Sequence, residues 1–265
     1  MPDAAPEKSL DPELARHLHR ALTTGREELF ALLQDRRPEV LRAALKNRHL
    51  SEDHLLALLR RRDLTEDLLK AVARLEQLDD SHRLKVALAC NPAVPGTLVR
   101  TLLPHLHLFE LVNLCFRPGV TPDQKLAAER VILQRLPQVE PGNKMTLARR
   151  ATSTVVGAIL REGDSRLMEA CLNNVRLKEV ALLQFLHSGR ATAETISAIA
   201  RHPKWKNRPN LRLAILKNRK TPAVWFTLFL PRLATAEIHN LLASRRLGPH
   251  QKQLARDELK KRGHG

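Results

Sequence analysis

Two stretches, VALACNPAVPGTLVRTLL at 86–103 and LAILKNRKTPAVWFTLFL at 213–230, decide how this chain folds. Each reads as an apolar helix face, an asparagine, and then a proline that opens the next apolar face. They lie 127 positions apart, and at that offset residues 9–135 fall on 136–262 without a gap. The matches include polar and breaker positions that shared apolar periodicity does not force: Asn47 on Asn174, Asn91 on Asn218, Asn113 on Asn240, Thr65 on Thr192, Glu110 on Glu237, Pro104 on Pro231 and Gln124-Lys125 on Gln251-Lys252. Roughly 30 of the 127 pairs are identical, about a quarter, against about a tenth expected from a Leu/Ala/Arg-rich composition. The chain reads as one unit written twice.

Short apolar stretches at i, i+3, i+4, i+7 separated by turn residues run throughout, with no strand-like alternation, so the expected class is all-α. Hydroxyl N-caps at Ser51, Thr65, Thr121, Thr192 and Thr221 mark helix starts, with Thr121 and Gln124 spaced as a capping box. Starts fall near 51, 65, 95 and 122 and, at the same spacings, near 178, 192, 222 and 249. Helices of about ten residues are marginal alone and need neighbours, which predicts a stacked array. The Asn–Pro punctuation resembles HEAT-like repeats and the leucine-rich-repeat-variant family of bacterial α-solenoids. That resemblance implies a right-handed α-solenoid of short helix pairs. The cysteine cluster that accompanies an iron–sulfur site in some leucine-rich-repeat-variant proteins has no counterpart, so no cofactor is carried over.

The expected organisation is a disordered tail at 1–8, a first copy at 9–135, a second at 136–262 and a short tail at 263–265. No apolar stretch approaches the roughly 20 residues needed to span a bilayer, and the start lacks the basic and apolar regions of a secretory signal, so a cytoplasmic location is expected. Cys90, Cys115 and Cys171 are far apart and read as buried small residues. The twelve histidines are scattered and give no ligand set, so no metal is expected. Asn47, Asn91, Asn174 and Asn218 read as helix C-terminal caps or inter-helix hydrogen-bonders, Asn being a residue that tolerates left-handed backbone. Glu110 with Asn113, and Glu237 with Asn240, read as buried polar ties or, alternatively, as sites.

Charge separates the copies. Lys and Arg number 20 against 17 Asp and Glu in the first, net +3, and 24 against 9 in the second, net +15, within a chain of net charge +17. Arg exceeds Lys by 31 to 14, as a GC-rich genome would produce, but one genome wrote both copies. Residues 195–236 contain no carboxylate and hold Arg201, Lys204, Lys206, Arg208, Arg212, Lys217, Arg219, Lys220 and Arg232. A helix opening at Arg208 and Pro209 would project Arg208, Arg212 and Arg219 within about 40° of one another. Arg149, Arg150, Arg245, Arg246 and the terminal Lys260, Lys261 and Arg262 would extend this ridge, with Trp205 either stacking on a base or packing at an edge, and Trp225 in the core.

Such a track suits nucleic-acid phosphates, and with no Tyr and few aromatics the chain is poorly equipped to stack single-stranded bases. Duplex DNA or structured RNA, bound through its backbone by a non-enzymatic module, is the leading expectation. A scaffold or adaptor docking on an acidic protein or an anionic membrane surface, without membrane insertion, is the alternative. A third is a repair enzyme like the HEAT-like DNA glycosylases, which would need a carboxylate near an aromatic-lined pocket. Glu194 and Glu237 flank the track, but Glu194 is explained by the helix dipole in the first turn after Thr192, and Glu237 has its equivalent in Glu110 of the near-neutral copy and so reads as structural.

Overall fold

A computed structural model describes residues 11–263. The expected tail at 1–8 and the last two residues lie outside that range. Among the described residues every regular element is a helix, and none is long and apolar enough to cross a membrane. The chain divides into two compact units, Met1–Val131 and Ile132–Gly265.

The first unit carries α1 (Pro12–Thr23), α2 (Arg26–Leu32), α3 (Pro38–Ala44), α4 (Glu52–Leu58), α5 (Glu66–Val72), α6 (Glu76–Asp80), α7 (His82–Ala89), α8 (Gly96–Leu102) and α9 (Leu108–Phe116), and ends within α10 (Pro122–Arg135). The second carries α11 (Pro141–Arg150), α12 (Ser153–Glu162), α13 (Ser165–Leu172), α14 (Glu179–His187), α15 (Ala193–Arg201), α16 (Pro209–Leu216), α17 (Ala223–Phe229), α18 (Thr235–Ala243) and α19 (Pro249–Lys261). Each of the eight expected starts lies within one residue of an observed helix. α7 and α16, and α8 and α17, have the same bounds shifted by 127, down to the 3-10 turns Leu103–His105 and Leu230–Arg232 that follow. The departure is α6, whose counterpart 203–207 is a turn because Pro203 and Pro209 bracket it.

Within the first unit alternate helices pack in two rows, α1 on α3 on α5 and α2 on α4 on α7. The second unit repeats the arrangement with α11, α13, α15 and with α12, α14, α16. Facing rows bury Leu55, Leu58, Leu68, Leu84 and Leu88 in one unit and Leu182, Phe185, Ile196, Leu211 and Ile215 in the other. At about 1.5–3 kcal/mol per buried aliphatic side chain, this packing, and not local propensity, sustains helices of seven to nine residues. The all-helical architecture is compatible with a helical-repeat fold.

The rows are fastened by the four asparagines. Asn47 Nδ2 donates to the carbonyls of Ala21 (2.9 Å) and Thr24 (3.1 Å), and Asn174 Nδ2 to those of Ala148 (2.8 Å) and Ala151 (3.1 Å), each acceptor displaced by 127. Asn91 and Asn218 do the same for Leu59 and Leu186 at 2.9 and 2.7 Å. In all four the side-chain oxygen accepts the N–H two residues on, in Asx-turn fashion. No non-glycine residue among those described has positive φ. The asparagines therefore serve through the amide, which donates and accepts at once, and not through tolerance of left-handed backbone.

The Glu–Asn ties do not form. Asn113 and Asn240 are exposed, while Glu110 and Glu237 turn back to accept the N–H of His107 (2.8 Å) and Ala234 (3.0 Å) at the starts of α9 and α18. A free N–H at a helix start is a nearer partner for a carboxylate at the third position than an amide one turn on. Thr121 and Gln124 form the expected capping box, with Thr121 N–H to Gln124 Oε1 at 2.8 Å and Gln124 N–H to Thr121 Oγ1 at 3.3 Å.

Candidate nucleic-acid interface

The cations of the second unit fall into three sets. The first is committed to the fold. Arg212 donates through Nε to the Lys206 carbonyl (2.9 Å) and through Nη2 to Asn207 (3.1 Å). Lys204 Nζ reaches the Asn174 carbonyl (3.3 Å) and Lys220 Nζ the Gly189 carbonyl (2.9 Å). Arg208 precedes α16 and lies 4.0 Å from Glu179 Oε2. Arg262 donates to the Leu233 and Leu230 carbonyls and to Glu258, which removes it from the expected track.

Trp205 is buried, with its indole N–H given to the Leu172 carbonyl at 3.1 Å and the Lys204 ammonium 4.5 Å from the ring centroid. Base stacking is closed to it: the ring fills space that its counterpart Leu78 fills in the first unit. Trp225 is in the core, donating to Ser197 Oγ at 2.9 Å. Burial first, and then the Lys204 charge, hold the His202 imidazole below its ordinary pKa, so it adds no positive charge at neutral pH.

The second set is gathered in one place. α16 ends at Leu216, with Lys217 its C-cap and Arg219 two residues beyond. The expected helical face shared by Arg208, Arg212 and Arg219 is therefore absent, because Asn218 breaks the helix to form its Asx turn. What replaces the face is a recess of about 340 Å³, open to solvent, between the C-terminal ends of α14 and α16 and the turn joining α18 to α19. Lys217, Arg219, Arg245 and Arg246 line it, with no carboxylate and no aromatic ring beyond His187. Two helix C-termini supply partial negative charge, offsetting some of the repulsion among the cations by about 0.3–1 kcal/mol each. Arg219, Arg245 and Arg246 are exposed and Lys217 is half-buried.

The third set, Arg149, Arg150, Arg201 and Lys206, is exposed but does not line the recess. An isolated surface arginine is the ordinary solvated case, whereas four cations around one concavity without a counter-charge concentrate positive potential there.

One cluster had no signal in the sequence. In the first unit His82 Nε2 lies 2.7 Å from Glu110 Oε2 and the His82 and His107 rings stand 4.3 Å apart. One ligand atom from each of the three lies within 4.8 Å of the others, so among the described residues this group is able to hold a metal ion. Burial pushes the Glu110 carboxyl up, but the His107 N–H and the His82 ring outweigh it and leave the group below its ordinary value. The equivalent positions are Pro209, Ala234 and Glu237. Glu237 keeps the capping bond without either histidine, so capping accounts for the carboxylate and the imidazole pair is peculiar to the first unit. Spacings of 25 and 3 residues match no ligand motif, so only the packing of α7 beside α9 reveals it. Burial pushes the Cys115 and Cys171 thiols up to about 12. Cys90, expected to be buried, is half-buried in the lining of a recess of the first unit, and burial raises its thiol as well.

No known protein-family model matches this chain, and no curated protein or solved structure is significantly similar to it.

Proposed function

We propose that this chain is a non-enzymatic nucleic-acid-binding α-solenoid, built by internal duplication in the style of HEAT-like or leucine-rich-repeat-variant proteins, that grips the phosphate backbone of duplex DNA or structured RNA. The observation that carries the reading is the carboxylate-free recess walled by Lys217, Arg219, Arg245 and Arg246. Guanidinium groups take phosphate oxygens in bidentate fashion, and each neutralised phosphate releases counterions. The buried Trp205 and the lack of stacking rings around the recess favour backbone contact over recognition of splayed bases.

The glycosylase alternative loses support from the same geometry. Glu237 caps α18, Glu194 stands exposed in the first turn of α15, and neither lines the recess. An acidic protein or anionic lipid surface would also feel the charge, and these are outcomes of the test. Fluorescence anisotropy with labelled duplex DNA, hairpin RNA and single-stranded oligonucleotides, across a salt titration, decides it. Binding of a duplex class with a slope of several released ions supports the reading; no binding to any of the three at physiological salt sinks it.

A further inference from the structure

The first unit holds a recess at the same place. Nine residues line the recess of the second unit, and the residue 127 positions before each of them lines a recess of about 440 Å³ in the first. The cations do not correspond. Lys217, Arg219, Arg245 and Arg246 fall on Cys90, Pro92, Pro118 and Gly119. Arg60, Arg62, Arg83 and Arg117, which line the first recess, fall on His187, Gly189, Asn210 and Ser244. Both concavities therefore carry four cations, contributed from different segments of the repeat.

Charge inherited from a common ancestor would occupy matching positions, and charge acquired without selection would scatter over the whole surface. Four cations at one concavity, reached by two separate routes, are what a shared ligand requirement produces. One pair shows the exchange directly. In the first unit an arginine on the turn after α4 faces a glycine on the turn before α10. A Cβ on Gly119, whose φ is +86°, would come within 2.8 Å of Arg62 Nη2, so the missing side chain makes room for the guanidinium. In the second unit the same two positions are Gly189, with φ +72°, and Arg246. The arginine and the left-handed glycine have exchanged positions, and a Cβ on Gly189 would meet nothing within 4 Å.

Carboxylates at the first recess are already engaged. Glu110, the carboxylate in its lining, accepts from His107 N–H and faces His82, and Arg83 is paired with Glu52 from outside the lining at 3.1 Å. Arg60, Arg62 and Arg117 have no carboxylate partner among the described residues. The net charge of +3 for residues 9–135 hides this, because it sums the Arg-lined recess with the acidic helix starts Glu52-Asp53 and Glu66-Asp67.

We infer that the first recess is a second phosphate-binding station of this protein, its Arg60, Arg62 and Arg117, which have no carboxylate partner among the described residues, taking the oxygens of a phosphodiester or polyphosphate. The inference rests on the nucleic-acid reading and extends it from one unit to both. An all-Arg set favours bidentate, planar recognition over the diffuse attraction of ammonium groups.

The test is calorimetric titration of the full chain with tripolyphosphate at low ionic strength, with circular dichroism to establish that each variant folds. Replacing Lys217, Arg219, Arg245 and Arg246 by Gln should leave about one equivalent bound where the parent binds about two, because one recess survives. Adding Arg60→Gln, Arg62→Gln and Arg117→Gln should then weaken binding roughly tenfold or more, whereas Arg→Lys at those three positions should recover only part of it, because an ammonium keeps the charge and loses the bidentate fork. If the triple glutamine change unfolds the chain, Arg62→Gln alone reads the same loss. The inference is overturned if the four-site variant binds nothing, or if adding the first-recess changes alters nothing. A parent protein that takes up tripolyphosphate in both recesses yet binds no duplex or hairpin would instead refute the nucleic-acid reading.

Discussion

The two recesses differ in where their cations come from and agree in having them, whereas the asparagine anchors agree in both respects. Asn47 and Asn174 reach carbonyls at matching positions with distances equal to within 0.1 Å. Around the recesses not one cation position is shared. Packing fixes a buried amide to one place because its donor and acceptors must all be met there. A solvent-facing charge acts over several ångströms and can be supplied from any nearby segment. The two units therefore agree in position where geometry is demanding, and only in sign where the demand is electrostatic.

The largest effect should come from emptying the second recess of charge. Replacing Lys217, Arg219, Arg245 and Arg246 with Gln should weaken duplex binding about 10²–10³-fold at physiological salt and lower the log–log salt slope by about 3–4, as anisotropy would show. Equal replacement of Arg149, Arg150, Arg201 and Lys206, which lie off the recess, should cost less than about tenfold. If the two sets weaken binding equally, the recess is no more than part of a diffuse basic surface.

Next in size are the anchors. Asn47→Ala and Asn174→Ala should each destabilise the chain by about 2–3 kcal/mol, since each leaves two buried carbonyls and a turn N–H without their partner. Urea unfolding of the pair should give costs within about 1 kcal/mol of each other, and a cost confined to one unit would break the equivalence.

Much of this was legible in the residues. Thr65, Thr192, Pro122 and Pro249 announce helix starts by local chemistry, and a start set locally survives folding nearly unchanged. The basic block at 195–236 contains Lys217 and Arg219, and Arg245 and Arg246 are named from sequence beside it; all four line the recess. Their gathering was not legible, because Lys217 and Arg245 lie 28 positions apart and meet only at the recess. Nor was the role of Lys204, Arg208, Arg212 and Lys220, since nothing in a linear charge count distinguishes a cation paired with a carbonyl or carboxylate from one free in solvent. The first recess escaped for a further reason: Arg60, Arg62 and Arg117 are spread over 58 positions among acidic neighbours, so no window of sequence is strongly basic there.

A smaller effect separates the units by pH. The Arg37 guanidinium beside Asp35 holds that carboxyl down at about 2, outweighing its burial. The equivalent carboxylate, Glu162, pairs instead with Lys144 from α11 at 2.7 Å. A depressed carboxyl contributes stability above its unfolded value near 3.8, and that contribution is lost as pH falls through about 2. Asp35→Asn should therefore cost about 1 kcal/mol near neutral pH and nothing below pH 2, as paired thermal melts would show. The smallest effect concerns repulsion: the four-site Gln variant of the second recess should gain a few tenths of a kcal/mol in low salt, a gain that vanishes in high salt.

The most direct test of a phosphate-gripping recess is the salt dependence of duplex binding, measured side by side for the parent chain and the Lys217, Arg219, Arg245 and Arg246 glutamine variant. The slope should fall by about 3–4 ions on substitution, with the fold and melting temperature preserved. An unchanged slope would contradict the account, because the cations around the recess would then release no counterions when the nucleic acid binds.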